Sequence, residues 1–243
     1  MPAPRFYCPC DLHSDQQLAL PEMAAHHASR VLRLQPGDAV TLFNGAGGQF
    51  PASIRAIDRH EVIVLIGERQ PIECEPPLAI TLAQALSTGE KMDFTLQKAV
   101  ELGVTEIHPL ASSRSVVKLS GERAQKRVEH WQNIVIAACE QCGRNRVPVV
   151  MQIMPLLTWL SENQGPGLRL MMSPAAAISL RDLPRPDGPI TLLAGPEGGF
   201  ADAEIAAAQA CGFTSVRLGA RILRTETAAL AGLSAIQTLW GDF

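Results

Sequence analysis

Two glycine-rich turns near the C-terminal end carry the residue types most able to do chemistry. The first is Gly195-Pro196-Glu197-Gly198-Gly199-Phe200, and the second runs Leu218-Gly219-Ala220-Arg221-Ile222-Leu223-Arg224-Thr225-Glu226-Thr227-Ala228. Each follows a short apolar run, residues 190–194 and 215–218, and each leads into a helix-like stretch. A glycine turn between strand and helix exposes backbone N–H groups and lets a ligand approach the main chain. In open parallel sheets ligands bind at the carboxyl ends of the strands. Two such turns on neighbouring strands would therefore build one pocket. Neither turn reads G-x-G-x-x-G or G-x-x-x-x-G-K-[ST], so the dinucleotide and P-loop readings lack their residues. From spacing alone, two ordinary strand-to-helix turns remain an equal alternative.

The elements that must hold these turns alternate between strand and helix. Strands are expected at 78–84, 105–110, 148–153, 168–172, 190–194 and 214–218. Between them, 90–102 has Met92, Leu96, Ala99 and Val100 at helical spacing, and 122–141 is a longer amphipathic stretch. An alanine-rich helix at 201–211 is closed by Gly212, and 225–240 ends the chain with Leu233, Ile236 and Trp240 on one side, for core or for a subunit interface. This alternation implies an α/β fold with a parallel sheet. The first seventy residues differ. Short β-like runs at 39–43, 50–57 and 61–66 are separated by turn signals at 36–38, 44–48 and 58–60, as in a small barrel or sheet. A proline-rich stretch at 70–77 reads as the linker, dividing the chain into 1–72 and 73–243.

At 243 residues and 47% hydrophobic, the chain can bury a full core. No apolar run is long enough to span a bilayer, and the N-terminus lacks the pattern of a signal peptide, so a cytoplasmic protein is expected. The net charge of −3 gives no overall basic signature. Residues 112–147, however, hold seven Lys and Arg against three Glu, a local +4. Cys139 and Cys142 have C-x-x-C spacing, and Cys8 and Cys10 are the other close pair. Because Cys139 sits in an apolar helical run, buried thiols are expected rather than a zinc site. Adjacent His26 and His27 point about 100° apart on a helix, so no metal is expected there.

The residues of both turns resemble the SPOUT methyltransferases, and within them the ribosomal RNA small subunit methyltransferase E family. Residues 89–98 and 101–104 resemble that family's first helix and its end, 140–148 its central signature, and 30–33 a stretch of its N-terminal domain. The resemblance covers nearly the whole chain. It implies a C-terminal trefoil knot behind the parallel sheet, a departure from the rule that connections do not knot, and a PUA-like N-terminal β-barrel. It implies S-adenosylmethionine (SAM) as cofactor and N3 of a uridine in 16S rRNA of the small ribosomal subunit as target. It also implies a homodimer formed through the knotted domain, with each active site borrowing from the partner chain. Rivals are a methyltransferase acting on another RNA or on a ribose 2′-hydroxyl, and a non-catalytic ribosome-assembly factor.

Carried over by position, the resemblance places cofactor contacts at Leu170, Met171 and Met172, at Leu193, Gly195, Pro196, Glu197 and Gly198, and at Leu218, Gly219, Ile222, Leu223, Thr225 and Thr227. Adenine needs a flat apolar slot and a few backbone hydrogen bonds, which leucines, Ile222 and glycine turns can supply. The N3 proton of uracil is weakly acidic and lies between two carbonyls. Arg224 is the candidate for stabilising charge or holding the nucleotide, and Glu197 and Glu226 are candidate proton acceptors. Equal alternatives are a loop-fixing role for Glu197 and a helix-dipole role for Glu226. RNA contacts are expected from Arg5, Arg30, Arg33 and Arg114, and from the loop Arg144-Asn145-Arg146, which is expected to meet RNA or reach an active site.

Overall fold

The computed structural model describes residues 3–58 and 61–243. Residues 1, 2, 59 and 60, which include part of the N-terminal stretch and of the expected 58–60 turn, lie outside the described residues. The chain divides into two compact units. One holds the N-terminal residues up to Glu75 together with Cys139–Val147, and the other holds Pro76–Ala138 and Pro148–Phe243. A single cut near residue 72 therefore misses the return of nine late residues to the first unit. That return depends on long-range polar contacts which leave no periodic trace in sequence.

In the first unit, β1 (Arg5–Tyr7), β2 (Gln17–Ala19), α1 (Glu22–His26), β3 (Ala39–Phe43), β4 (Phe50–Ile57) and β5 (Val62–Ile66) follow in order. The strands form one sheet, ordered β1-β3-β4-β5-β2, with β1 parallel to β3 and the other pairs antiparallel. Alternation explains the inward face. Phe50, Ala52 and Ile54 of β4 and Val62, Val64 and Ile66 of β5 are buried with Phe6 and Leu42. Gly48 has a φ of +71°, its N–H donates to Glu73 Oε1 at 2.6 Å, and an added Cβ would lie 2.9 Å from the Gln70 carbonyl oxygen. Only glycine fits that turn.

In the second unit the elements are β6 (Ile80–Ala85), α2 (Gly89–Glu101), β7 (Val104–Ala111), α3 (Gly121–Cys142), β8 (Val149–Val150), β9 (Met154–Pro155), α4 (Leu156–Glu162), β10 (Leu168–Met172), β11 (Ile178–Ser179), β12 (Ile190–Ala194), α5 (Asp202–Ala210), β13 (Thr214–Arg217) and α6 (Thr225–Trp240). The end of α3 groups with the first unit. The strands run parallel in the order β11-β13-β10-β12-β6-β7-β8, and β9 pairs with β7. The central strands are apolar on both faces, as a sheet covered on two sides requires. Ala83, Met171 and Leu193 pack with Trp159, Phe200 and Phe213 on the side of α4 and α5. On the other side α6 lies against α2 and β12, and Gly232 meets Leu192 closely, with an added Cβ only 3.1 Å from Leu192 Cδ2. Leu233, Ile236 and Trp240 are buried, so they serve the core. The expected strand at 148–153 shrinks to the two residues of β8. The two-residue β11, paired with β13, is too short to show in a hydropathy pattern.

Candidate functional site

Three neighbouring strands, β13, β10 and β12, end on the same side of the sheet, and the loops after them wall a cavity of about 520 Å³. That volume suits a small-molecule site, typically about 300–1,000 Å³. The end of β10 and its loop contribute Met172, Ser173 and Pro174. The loop after β12 contributes Gly195, Pro196, Glu197, Gly198 and Gly199. The stretch from Val216 to α6 contributes Val216, Arg217, Leu218, Gly219, Arg221, Ile222, Leu223, Arg224, Thr225 and Ala228, and α2 contributes Lys91. Gly219 has a φ of +74°, and a Cβ on Gly195 would lie 3.3 Å from the Phe200 ring, so the main chain is bare at both turns.

Side chains from distant strands fix these loops. Gln84, fully buried at the end of β6, donates from Nε2 to Thr225 Oγ1 at 3.1 Å, and Thr225 Oγ1 donates to the Gly195 carbonyl. This relay joins the start of α6 to the first glycine turn. Glu197 Oε1 accepts from the Thr88 N–H at 3.2 Å, from Thr88 Oγ1 at 3.1 Å and from Lys91 Nζ at 3.3 Å. Partial burial pushes this carboxyl's pKa up, but the hydrogen bonds together outweigh it and hold it below the usual carboxylate range. Glu197 therefore stays ionised, and its tie to α2 is lost only as pH falls through that lowered pKa.

Buried Glu204 does similar work on the rim. Its Oε1 accepts from the Ser113 N–H at 2.7 Å and its Oε2 from the Ala201 N–H at 2.9 Å. The carboxylate caps α5 and anchors the loop that bears Arg114. Arg114 Nη1 in turn donates to the Gly198 carbonyl at 3.2 Å. Removing a helix cap costs about 1 kcal/mol, and two charge-assisted bonds are broken here. Glu204→Ala is expected to lower stability by about 2 kcal/mol, measured by urea unfolding.

The predicted residues divide sharply. Met172, Gly195, Pro196, Glu197, Gly198, Leu218, Gly219, Ile222, Leu223, Arg224 and Thr225 are brought together around the cavity. Leu170, Met171 and Leu193 are not. They are fully buried in the sheet, because strand alternation turns them into the two packed faces. Glu226 and Thr227 do not line the cavity either, although Thr225 and Ala228 of the same helical turn do. Glu197 lines the cavity and is engaged as a loop clasp, in keeping with the loop-fixing alternative weighed for it. Arg30, Arg33 and Arg114 are exposed, and Arg33 has a left-handed φ of 54°.

The Arg144-Asn145-Arg146 reading is corrected for its first two members. Arg144 and Asn145 are buried within the first unit, Arg144 paired with Glu75 at 2.6 Å and Asn145 accepting from Arg5 Nη2 at 2.6 Å. Arg5 itself is half-buried and also donates to Gln49. Only Arg146 of the three is exposed. Cys8 and Cys139 are buried, and burial pushes both thiols up to about 12. Among the described residues no three His, Cys, Asp or Glu gather as a metal site, and no helix is long and apolar enough to cross a membrane.

A family model for an RNA methyltransferase domain matches residues 74–237, and one for an RNA methyltransferase PUA domain matches residues 20–67. The ribosomal RNA small subunit methyltransferase E of Buchnera aphidicola from Schizaphis graminum is 37% identical over 98% of this chain and 97% of its own length. The chain belongs to the ribosomal RNA small subunit methyltransferase E family. The family's Bacillus subtilis member is 32% identical over 87% of this chain and 86% of its own. Its Neisseria gonorrhoeae member, solved with S-adenosyl methionine bound, superposes with a TM-score of 0.92 at 45% identity over 99% of both chains. A putative methyltransferase of Legionella pneumophila, solved with SAM, gives a TM-score of 0.96 at 41% identity over the whole of both chains. The cavity also takes in residues that the sequence reading does not assign to the site, namely Lys91, Arg217 and Arg221, with Ser173, Pro174 and Val216 beside them. Arg221 stood inside a quoted motif, so charge at a glycine turn was the signal available. Lys91 also stands inside a motif stretch, 89–98, but about a hundred residues from the glycine turns nothing in the sequence ties it to them.

Proposed function

We propose that this chain transfers a methyl group from SAM to N3 of a uridine in 16S rRNA of the small ribosomal subunit. The observation that carries the reading is a cavity walled by three adjacent strand ends, with bare backbone at Gly195 and Gly219, apolar Met172, Leu218, Ile222 and Leu223, and a cation at Arg224. These residues suit SAM, since the apolar side chains and open amides match a purine and the glycines leave room for it. SAM supplies an electrophilic methyl group. The chain must hold uracil N3 in line with that methyl and stabilise the charge left on the base as its proton departs. Arg224, exposed at the start of α6 beside the helix's positive end, is placed to do so at a carbonyl oxygen. The clasped Glu197 leaves water as the acceptor of the proton.

The same reading makes the first unit a PUA-like RNA-binding module and the second a trefoil-knotted domain that pairs with a second copy. What supports the knot is the path of the chain: β13 sits between β10 and β11, and α6 then returns to pack on α2 and β12. What supports pairing is the exposure of Leu239 and Phe243 at the chain's end. The deciding experiment combines the protein, labelled SAM and small subunits lacking the modification, then separates the nucleosides. Labelled 3-methyluridine is expected, whereas a ribose-methylated product or no label would overturn the proposal. In the same assay Glu197→Gln is expected to retain transfer within about tenfold while weakening SAM binding. Loss of about 10²–10⁴-fold in rate would restore Glu197 as the general base.

A further inference from the structure

The cavity's charge does not suit SAM alone. Lys91, Arg217, Arg221 and Arg224 line it against the single carboxylate of Glu197, a formal excess of +3. Lys91 and Glu197 pair with each other. Among the described residues the three arginines have no carboxylate within ion-pair distance, and all three are exposed. SAM carries a sulfonium, an ammonium and one carboxylate, so it is itself a cation. A cavity built only for SAM could use one arginine at its carboxylate, but the others would repel its sulfonium and ammonium through like charge. Their sign and their planar, bidentate donors fit phosphate instead.

Resting on the reading just given, we infer that Arg217 and Arg221 bind backbone phosphates of the RNA flanking the target base, and that RNA and SAM therefore bind with positive coupling. Phosphate seated on the arginines cancels the field that opposes the sulfonium. By linkage, SAM must tighten RNA by the same factor that RNA tightens SAM. The demethylated product, S-adenosylhomocysteine, lacks the sulfonium charge. It should bind the RNA-free protein better than SAM does and should respond little to RNA. The cation cluster thus favours the product over SAM on the RNA-free protein, and SAM gains the advantage only when a new RNA arrives.

The test is calorimetric titration of SAM and of S-adenosylhomocysteine into the full chain at low and high salt, and, where unmodified small subunits are added, of S-adenosylhomocysteine and an unreactive SAM analogue that carries an ammonium in place of the sulfonium. The wild-type protein is expected to favour S-adenosylhomocysteine at low salt, with the preference shrinking as salt screens the arginines. Subunits are expected to tighten the unreactive cationic analogue by about tenfold and S-adenosylhomocysteine little. Arg217→Gln with Arg221→Gln should raise SAM affinity relative to S-adenosylhomocysteine by about three- to tenfold and abolish most of the coupling. The salt titration needs no variant, so it stands even where the double variant folds poorly. A SAM-to-product ratio indifferent to salt and substitution, with an analogue-to-product ratio indifferent to subunits, would overturn this inference alone. A wild-type chain binding neither ligand would overturn the proposed function and this inference with it.

Discussion

Replacing Arg224 by alanine is expected to slow methyl transfer by about 10²–10³-fold at saturating SAM while changing SAM affinity by no more than about threefold. The expectation follows from where the side chain stands. Arg224 is the N-cap of α6, with extended backbone angles and no side-chain capping bond, so its guanidinium is not committed to the helix. It lines the cavity, is exposed, and has no ion-pair partner among the described residues. The helix adds its own positive end beneath it. Negative charge appears on the uracil carbonyls only as N3 gives up its proton. An interaction made with that charge therefore acts on the rate rather than on ground-state binding. Single-turnover kinetics with saturating SAM separate the two. Arg224→Lys should recover part of the rate, since it keeps the charge but loses the planar fork. If SAM affinity instead fell and the rate at saturation survived, Arg224 would belong to the cofactor site.

What was legible in the sequence was the arrangement along each strand and turn. The alternation of apolar runs and amphipathic stretches located β10, β12 and β13 with boundaries within a residue. The glycine turns marked the two longest walls of the cavity. Illegible were the contributions from elements that meet only in space. Lys91 on α2 and the Gln84–Thr225–Gly195 relay link residues more than a hundred positions apart, and hydropathy carries no trace of such a link. Strand positions inside a parallel sheet were overassigned for a related reason. Leu170, Met171 and Leu193 adjoin the glycine turns in sequence, but period-two alternation buries them in the layers on either side. Met172, one residue further, is the first to reach the cavity.

The loop at 143–147 departs furthest from what its residue types suggest. Two arginines around an asparagine look like an RNA contact, yet Arg144 and Asn145 are pulled inward. Arg144 places Nη2 2.6 Å and Nε 3.1 Å from Glu75 Oε2, and Asn145 donates to the Ile72 carbonyl at 2.6 Å. Arg5 joins from the other side, stacked over Phe43 and bonded to Asn145 and Gln49. Breaking a buried pair leaves one charge uncompensated and costs about 3–5 kcal/mol. Glu75→Ala and Arg144→Ala are each expected to destabilise the first unit by that amount, measured by urea unfolding followed by hydrogen exchange. The double variant should lose clearly less than the sum, because the second substitution removes the orphaned charge. Arg146→Ala, on an exposed side chain, should stay within about 0.5 kcal/mol of wild type. A phosphate contact at Arg144 predicts the opposite pattern, with unchanged stability and an RNA salt slope reduced by about one. Loss of methylation on changing Arg144 and Arg146 together therefore says nothing about RNA contact until stability has been measured, since a collapsed first unit abolishes activity just as well.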